Sequence, residues 1–419
     1  MKSNIIFILF FCVTFNFFVQ AQEKESFSFA EYLNKVKNKN LSYAAQKYNI
    51  SMAEAAVLSA GIRPDPQLEI ATSDNGVSRN MGYTMETGLS WTMETGKKRK
   101  ARVELAKNQA EFTRLQLQDF VRNLIADAAL GYIEALQSKA LLEIRKDSYQ
   151  KMLTLAKSDS IRYRMGVISL VTSKQSRLEA SSLLNEVYTA ESSQQKALTA
   201  LSVFLGNPAE EKNVQGDFNS FNRNFNMEDL ILQAVNSRTD LLASRQNINA
   251  ALSRIQLEKA NRKIDLGLSL GMEHNTTATN EIAPSPAVNA IKLGASIPLK
   301  FSNRKNADLK IAEMSRSQAE IEYKQIENTI RTEVMQAYQH YQALQKQLRQ
   351  FNYGMLDDAK NILEGIHYSY QRGESSILEV LNAQRTYNEV RIQYFQVQAD
   401  HAAALIELER SAGIWDIDF

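Results

Sequence analysis

Two long stretches of the sequence combine helical hydrophobic spacing with a lack of proline. They cover residues 67–207 and 299–419 and are rich in Ala, Leu, Gln, Glu, Lys and Arg. Between Val103 and Leu124 the apolar positions recur at intervals of three and four, which is the heptad spacing of helices that pack side by side. The pattern predicts two very long helices, over 97–164 and 303–372.

A glycine and a shorter helical pattern follow each long helix. Gly166 precedes a returning helix over 169–205, and Gly373 precedes one over 375–411. The helix after Gly373 carries two adjacent heptad seams, which predict neighbouring helices on both of its sides. A buried helix in an ordinary bundle would carry the same pattern, so that alternative stays open.

Four short segments alternate apolar and polar residues with a period of two. They lie at about 66–73, 83–94, 264–273 and 288–300, and runs of roughly 8–11 residues suit tilted strands that cross a bilayer. The side chains expected to face lipid are Tyr83, Leu89, Trp91, Leu268 and Leu293. Those expected to face a water-filled lumen are Glu86, Asp265, Glu273 and Lys292. A soluble, half-buried sheet would show the same alternation.

The helix and strand segments occur twice in the same order. The segment 88–101, GLSWTMETGKKRKA, aligns with 294–307, GASIPLKFSNRKNA, at an offset of 206, and the two glycine turns align at 207. Each copy opens with a further helix. The sequence predicts, in order, a first repeat over 22–206, a mid-height linker over 207–226, a second repeat over 227–413 and a tail over 414–419.

The first 21 residues differ from the rest of the chain. Lys2 gives a positive start, an apolar run covers 5–18, and a small-residue cleavage pattern ends at Ala21. These features predict a secretory signal peptide over 1–21. The one cysteine of the sequence, Cys12, lies inside it, so we expect no disulfide in the exported protein. No later run of apolar residues is long enough for a transmembrane helix.

Composition and motif content remove several classes of function. The formal net charge is +2, and no basic stripe with interleaved aromatics indicates a nucleic-acid partner. The sequence lacks the signatures of zinc proteases, P-loop proteins, dinucleotide-binding proteins and serine hydrolases. The four histidines are scattered, without an i, i+4 ligand pair. We therefore expect no enzyme, no metal site and no cofactor.

The strands and the helices both require further copies of the chain as neighbours. Hydrocarbon does not tolerate unpaired backbone groups, so membrane strands must close into a barrel, and four strands cannot close. The helix with two seams also needs neighbours on both sides. Both features predict a cyclic oligomer in which helices roughly 100 Å long form a hollow tube below a short barrel. That shape is typical of a conduit.

This layout resembles the TolC-type outer-membrane efflux family over essentially the whole mature chain. The resemblance rests on RPDPQLEI before the first strand, ETGKKRKA after the second, and YRMGVISLVTSKQSRLEA and YSYQRGESSILEVLNAQRTYNEV around the two glycine turns. The GKKR element is most similar to the heavy-metal efflux branch. The resemblance implies a homotrimer in the outer membrane, with a twelve-stranded β-barrel, four strands per protomer, above a periplasmic α-helical barrel. It also implies a periplasmic adaptor and an inner-membrane pump as partners, and leaves the cargo open.

The resemblance further implies a gate at the periplasmic tips. The candidate tip residues are Tyr163, Gly166, Tyr370, Arg372, Gly373, Glu379 and Asn382. Acidic residues just past the second tip ring the constriction in this family, and of the two matching positions only Glu379 keeps a carboxylate, whereas Asn382 does not. Tyr370 and Arg372 occupy positions where contacts lock the tip. An ordinary solvated coiled-coil surface would carry the same residues.

The alternative function is a periplasmic coiled-coil structural or adaptor protein without a membrane barrel. An adaptor would carry one helical hairpin flanked by lipoyl-like and barrel domains. This sequence has two equal repeats, each with its own pair of amphipathic strands, and the strands therefore favour the duct.

Overall fold

The fold is built from long helices, a four-stranded sheet and a short parallel pair of strands. The structure is a computed structural model that describes residues 26–75, 80–206, 213–218, 221–299 and 304–415. The predicted signal peptide and parts of the predicted linker and tail lie outside these residues. Among the described residues, no helix combines the length and the apolar character needed to cross a membrane.

The two repeats contain matching elements in the same order. The first contains β1 (Ser26–Phe27), α1 (Phe29–Lys39), α2 (Leu41–Ala60), β2 (Gln67–Asp74), β3 (Tyr83–Met93), α3 (Lys98–Arg164) and α4 (Leu170–Phe204). The connecting segment contains β4 (Asn213–Val214). The second repeat contains α5 (Met227–Ser237), α6 (Thr239–Asn261), β5 (Leu266–Asn275), β6 (Val288–Ser296), α7 (Arg304–Gln350), α8 (Leu356–Arg372) and α9 (Ile377–Ala412). The parallel pair of β1 with β4 was not predicted from the sequence.

The helix that opens each repeat is divided in two, where the sequence predicted one. The break falls at Asn40 in the first repeat and at Arg238 in the second, and both residues have extended backbone. The Asn40 side chain accepts a hydrogen bond from the amide of Tyr43 at 2.8 Å and donates one to the carbonyl of Phe204 at 3.1 Å. Asn40 therefore caps α2 while it fixes the end of α4.

The second long helix is interrupted, which corrects the prediction of one helix over 303–372. A π-helical turn at Phe351–Met355 separates α7 from α8, and Gly354 within it has a φ of 109°. Glycine adopts positive φ without steric cost, whereas other residues do not. At the position of the first repeat that aligns with Gly354 at the offset of 207, the sequence has Asp147. There α3 continues without a break and is 67 residues long.

Four strands form one antiparallel sheet in the order β2-β3-β5-β6. Trp91 pairs with Leu268 across β3 and β5, and Leu270 pairs with Leu293 across β5 and β6. This register places all the predicted lipid-facing side chains on one face. The strands end at slightly different residues than predicted, with β6 stopping at Ser296 instead of continuing to residue 300.

The helices lie side by side in two tiers, each four helices wide, and α7 and α8 follow one another in the same position. In the tier next to the sheet the order is α2, α3, α6 and α7, and in the far tier it is α4, α3, α9 and then α7 with α8. In α9 both heptad seams are buried toward the end of the helix nearest the mid-height core, as at Ala402 and Leu405, because α9 packs there on α3 and on α7. Near the tip, Leu378 of the first seam is exposed. The tiers leave α2 and α4 exposed on one edge and α7 and α8 on the other.

A core at mid-height joins the two repeats and the connecting segment. The hydroxyl of Tyr132 lies 2.6 Å from the carbonyl oxygens of Phe27 and Gln215. In the second repeat the hydroxyl of Tyr341 accepts a hydrogen bond from the amide of Arg223 at 2.8 Å. Burial raises the pKa of Tyr132 to about 12 and also raises the pKa of Tyr341. Both hydroxyls therefore stay protonated and bind backbone groups of the connecting segment.

Candidate functional site

The two hairpin tips lie together at the end of the molecule farthest from the sheet. Gly166 and Gly373 adopt left-handed backbone, with φ of 76° and 82°. One residue past each glycine, the amide bonds back to the preceding helix at 2.9 Å. Glycine is preferred at this position because it carries no Cβ.

Serine side chains begin the returning helices at both tips. The hydroxyl of Ser169 accepts a hydrogen bond from the amide of Thr172 at 3.1 Å. At the second tip Ser376 and Glu379 form a reciprocal capping box, in which the Glu379 carboxylate accepts from the Ser376 amide at 3.1 Å. Glu379 is exposed. Because it takes part in the capping box, it has a local structural role in addition to the negative charge predicted at the gate.

A buried hydrogen bond connects the two hairpins just above the tips. The hydroxyl of Tyr370 on α8 donates to the carboxylate of Asp159 on α3 at 2.9 Å. The Arg162 guanidinium lies 3.7 Å from the same carboxylate oxygen and 4.9 Å from the Tyr370 ring. Asp159 is fully buried and Tyr370 nearly so, and apolar side chains such as Leu155, Val380 and Leu381 surround them.

The surroundings of Tyr370 keep its hydroxyl as a hydrogen-bond donor. Burial, followed by the Asp159 carboxylate, raises the pKa of Tyr370 well above its ordinary value. The second carboxylate oxygen of Asp159 has no hydrogen-bond partner among the described residues. A buried carboxylate with few partners is costly, so the Tyr370 hydroxyl and the Arg162 charge are what make this arrangement stable.

The other predicted tip residues lie outside this cluster. Arg372 places its guanidinium 4.5 Å from the ring of Tyr368 at the surface. Tyr163 and Asn382 are exposed. Sequence reasoning found Tyr370 but missed Asp159 and Arg162. The available signal was a carboxylate three residues after Ala156, on the face of α3 that is otherwise apolar.

The sheet carries Glu86, Glu273 and Lys292 on the face opposite Trp91. Lys292 lies between two carboxylates, 2.8 Å from that of Glu86 and in contact with that of Glu273. Glu86 and Glu273 are direct partners across β3 and β5. Asp265 was predicted to lie within a strand, but it precedes β5 by one residue. It binds Lys98 at the start of α3, so it joins the sheet to the helices.

No metal-binding group of three or more His, Cys, Asp or Glu side chains occurs in the described part of the chain. The sheet has one charged and one apolar face, and both the sheet and the helical tiers end in open edges. These features define one protomer of a membrane-anchored tube that needs further copies to close.

The comparisons with known proteins agree with this class. The chain matches the profile of the outer membrane efflux protein family over residues 32–207 and 230–414. It is 24% identical over 377 residues to the cobalt-zinc-cadmium resistance protein CzcC of Cupriavidus metallidurans, covering 90% of this chain and 87% of that protein. It is 20% identical over 387 residues to the outer membrane efflux protein BepC of Brucella suis, covering 90% and 80%.

Solved structures share the fold. The crystal structure of CusC superposes with a TM-score of 0.77 at 19% identity and 92% coverage of both chains. The Campylobacter jejuni CmeC outer membrane channel gives a TM-score of 0.75 at 15% identity, covering 94% of this chain and 90% of that one. The chain therefore belongs to the outer membrane efflux protein family. This confirms the predicted family, fold class, efflux function and outer-membrane location.

Proposed function

We propose that three copies of this chain form the passive exit duct of a tripartite efflux system. The observation that carries the proposal is that the sheet and both helical tiers end on the same two edges. β2 and β6 each pair on one side only, and the edge helices α2 and α7 expose large apolar side chains such as Leu58 and Ile321. In a ring, β6 and α7 of one protomer meet β2 and α2 of the next.

Membrane physics supports this closure. An open strand edge cannot persist in hydrocarbon, and three protomers bring together twelve strands, within the range of bacterial barrels. The face that carries Glu86, Glu273 and Lys292 then lines the lumen, while the face with Tyr83, Leu89 and Leu293 meets lipid. Channels of this family are trimers that work with a periplasmic adaptor and an inner-membrane pump, and the duct carries no catalytic step of its own.

The far end of the tube is the proposed entrance. The Asp159–Tyr370 hydrogen bond holds the second hairpin against the first, and its loss frees the tip of α8 and α9 to move outward. The carboxylates of Glu379 from three protomers form a ring past the tip that attracts cations. The cleft of about 630 Å³ between α3, α8 and α9, with Leu155, Leu363 and His367 in its lining, gives the adaptor an apolar surface beside this entrance.

Transition-metal cations are the proposed cargo. The support is the similarity to a cobalt-zinc-cadmium resistance protein together with the GKKR element at the start of α3. A deletion strain should become sensitive to cobalt, zinc or cadmium, and the wild-type gene should restore resistance. If the deletion strain instead became sensitive to hydrophobic drugs and kept its metal tolerance, the cargo would be organic compounds and not metal cations.

The assembly is tested by fractionation. The protein should be recovered in the outer-membrane fraction as a trimer that dissociates on heating in detergent. Recovery as a soluble periplasmic monomer would favour the coiled-coil scaffold instead.

A further inference from the structure

A basic cleft lies where the sheet passes into the first long helix. Its volume is about 950 Å³. The lining includes Arg63 and Asp65 before β2, Trp91 and Met93 at the end of β3, and Lys97, Arg99 and Lys100 at the start of α3. The position of this cleft at a membrane boundary rests on the proposed function, because the membrane barrel is what places it there.

Two basic residues of this region are already neutralised. Lys98 is buried and pairs with Asp265. Arg102 pairs with Glu94 and also donates hydrogen bonds to the carbonyl oxygens of residues 60 and 62. These two residues hold the sheet on the helices, and their charges are not available to a ligand.

The remaining basic residues of the cleft differ from them. Arg63, Lys97, Arg99 and Lys100 are exposed, and none of them forms an ion pair in the described part of the chain. Asp65 pairs with no basic residue among those the structure describes, and Glu94 is neutralised by Arg102. The cleft therefore keeps a formal excess of three positive charges. At the aligned positions 303–306 the second repeat reads Asn-Arg-Lys-Asn, with half as many basic residues. The run of four basic residues that opens α3 is therefore not repeated in the sequence of the second repeat.

An apolar surface adjoins these charges. Trp91 and Met93 lie on the apolar face of β3, with 37% and 50% of their surfaces exposed. Tryptophan at the end of a membrane strand lies at the level of the lipid headgroups. Lys97 follows Met93 within four residues, which places its ammonium group at the boundary where phospholipid phosphates lie.

We propose that this cleft binds the phosphate of an anionic phospholipid in the periplasmic leaflet of the outer membrane. The free cations of Lys97, Arg99 and Lys100 contact the phosphate, and the acyl chains lie against Trp91 and the apolar face of β3. Basic groups near a membrane surface favour anionic lipids. A free phosphate ion matches the charges but leaves the apolar surface uncovered, so the phospholipid is the ligand that fits both.

Tryptophan quenching tests the proposal directly. The sequence has two tryptophans, and Trp415→Phe leaves Trp91 as the one emitter in purified, detergent-solubilised trimers. Phosphatidylglycerol brominated on its acyl chains should quench Trp91 with an affinity at least about fivefold above that of equally brominated phosphatidylcholine. In the K97Q/R99Q/K100Q variant the ratio of the two affinities should fall to about one.

The control removes the same charge at the opposite end of the tube. The exposed residues Lys157, Arg164 and Lys174 lie near the tip, and K157Q/R164Q/K174Q should keep the phosphatidylglycerol preference. Heat-modifiable mobility of every variant verifies that the trimer is intact.

The remaining outcomes of the quenching experiment distinguish failure of the lipid site from failure of the barrel. Equal quenching of the wild-type protein by both lipids would overturn the lipid site while leaving the barrel in place. Quenching by neither lipid would contradict the proposed barrel itself. Displacement of phosphatidylglycerol by inorganic phosphate would make the site one for the free ion, and displacement by soluble peptidoglycan fragments would assign it to the cell wall. Both displacements overturn the phospholipid proposal.

Discussion

The hydroxyl of Tyr370 donates a 2.9 Å hydrogen bond to the buried carboxylate of Asp159. The two residues belong to different repeats and lie on α8 and α3, respectively. Their bond is a polar contact within an apolar cluster that all four tip helices share. A tube made from two similar hairpins can open if one hairpin separates from the other, and this bond opposes that separation.

Removing the Tyr370 hydroxyl should open the entrance. Tyr370→Phe leaves the Asp159 carboxylate without its donor, which costs about 1–3 kcal/mol and shifts the balance toward the open tip by roughly 5- to 150-fold. Single-channel recordings in planar bilayers should show a larger fraction of time at high conductance.

The neighbouring Tyr368 provides a matched control. It lies two residues away, and its ring is exposed beneath Arg372. Tyr368→Phe should leave the conductance unchanged. Equal effects of the two substitutions, or no effect of Tyr370→Phe, would remove the Asp159–Tyr370 bond from the gate.

Two substitutions separate the charge of Glu379 from its capping role. Glutamine can still accept the hydrogen bond from the Ser376 amide, whereas alanine cannot. Glu379→Gln and Glu379→Ala should therefore both reduce cation selectivity and block by divalent cations, most clearly at low salt. Only Glu379→Ala should also lower the thermal stability of the tip. Unchanged selectivity in both variants would leave Glu379 as a capping residue alone.

The sequence pattern predicts where the helices and strands lie. It predicts less well where a helix is interrupted and which residues contact each other. Period-two alternation and heptad spacing depend on local residues, so the four strands and the long helices could be predicted. The break at Gly354 could not, because an isolated glycine inside a helical pattern usually remains helical. The alternation of residues in β5 does not predict the ion pair of Asp265 with Lys98. The apolar face of α3 marks Asp159 as buried but does not predict its bond to Tyr370. These are long-range contacts that no local pattern encodes.

Gly354 should be intolerant of a side chain for conformational reasons. Its φ of 109° is unfavourable for alanine, so Gly354→Ala should destabilise the region by about 1–3 kcal/mol. Faster amide hydrogen exchange in α8 should reveal this loss.

Gly365 in α8 is the control for this substitution. It has helical backbone and open space where a Cβ would lie. Gly365→Ala should therefore slow exchange, because alanine favours helices over glycine by up to about 1 kcal/mol. Faster exchange in both variants, or in neither, would argue against a strained backbone at Gly354.

The mid-height core should lose stability in acid because of His401. This side chain is 1% exposed and stacks on Tyr341 with a ring separation of 4.7 Å. Burial lowers the pKa of His401. The unfolded chain therefore binds a proton more readily than the folded one. The contribution of His401 to stability is complete above its ordinary pKa of about 6.5 and decreases as the pH falls through the lowered value.

Heat-dissociation midpoints between neutral and mildly acidic pH test this effect. His401→Phe preserves the stacked ring without the titrating nitrogen, so its midpoint should fall less on acidification than that of the wild-type protein. Parallel pH profiles for the two proteins would show that other groups cause the acid sensitivity.

If the sheet is part of a membrane barrel with a water-filled interior, its two faces differ in their access to water. Ser90 and Leu89 are adjacent in β3 and lie on its charged and apolar faces, respectively. The one native cysteine, Cys12, lies in the predicted signal peptide. A single cysteine introduced at either position should therefore be the only thiol of the exported protein that can react. With outer membranes as the sample, a charged thiol reagent should label Ser90→Cys and leave Leu89→Cys unlabelled. Equal labelling of both positions would contradict the membrane duct.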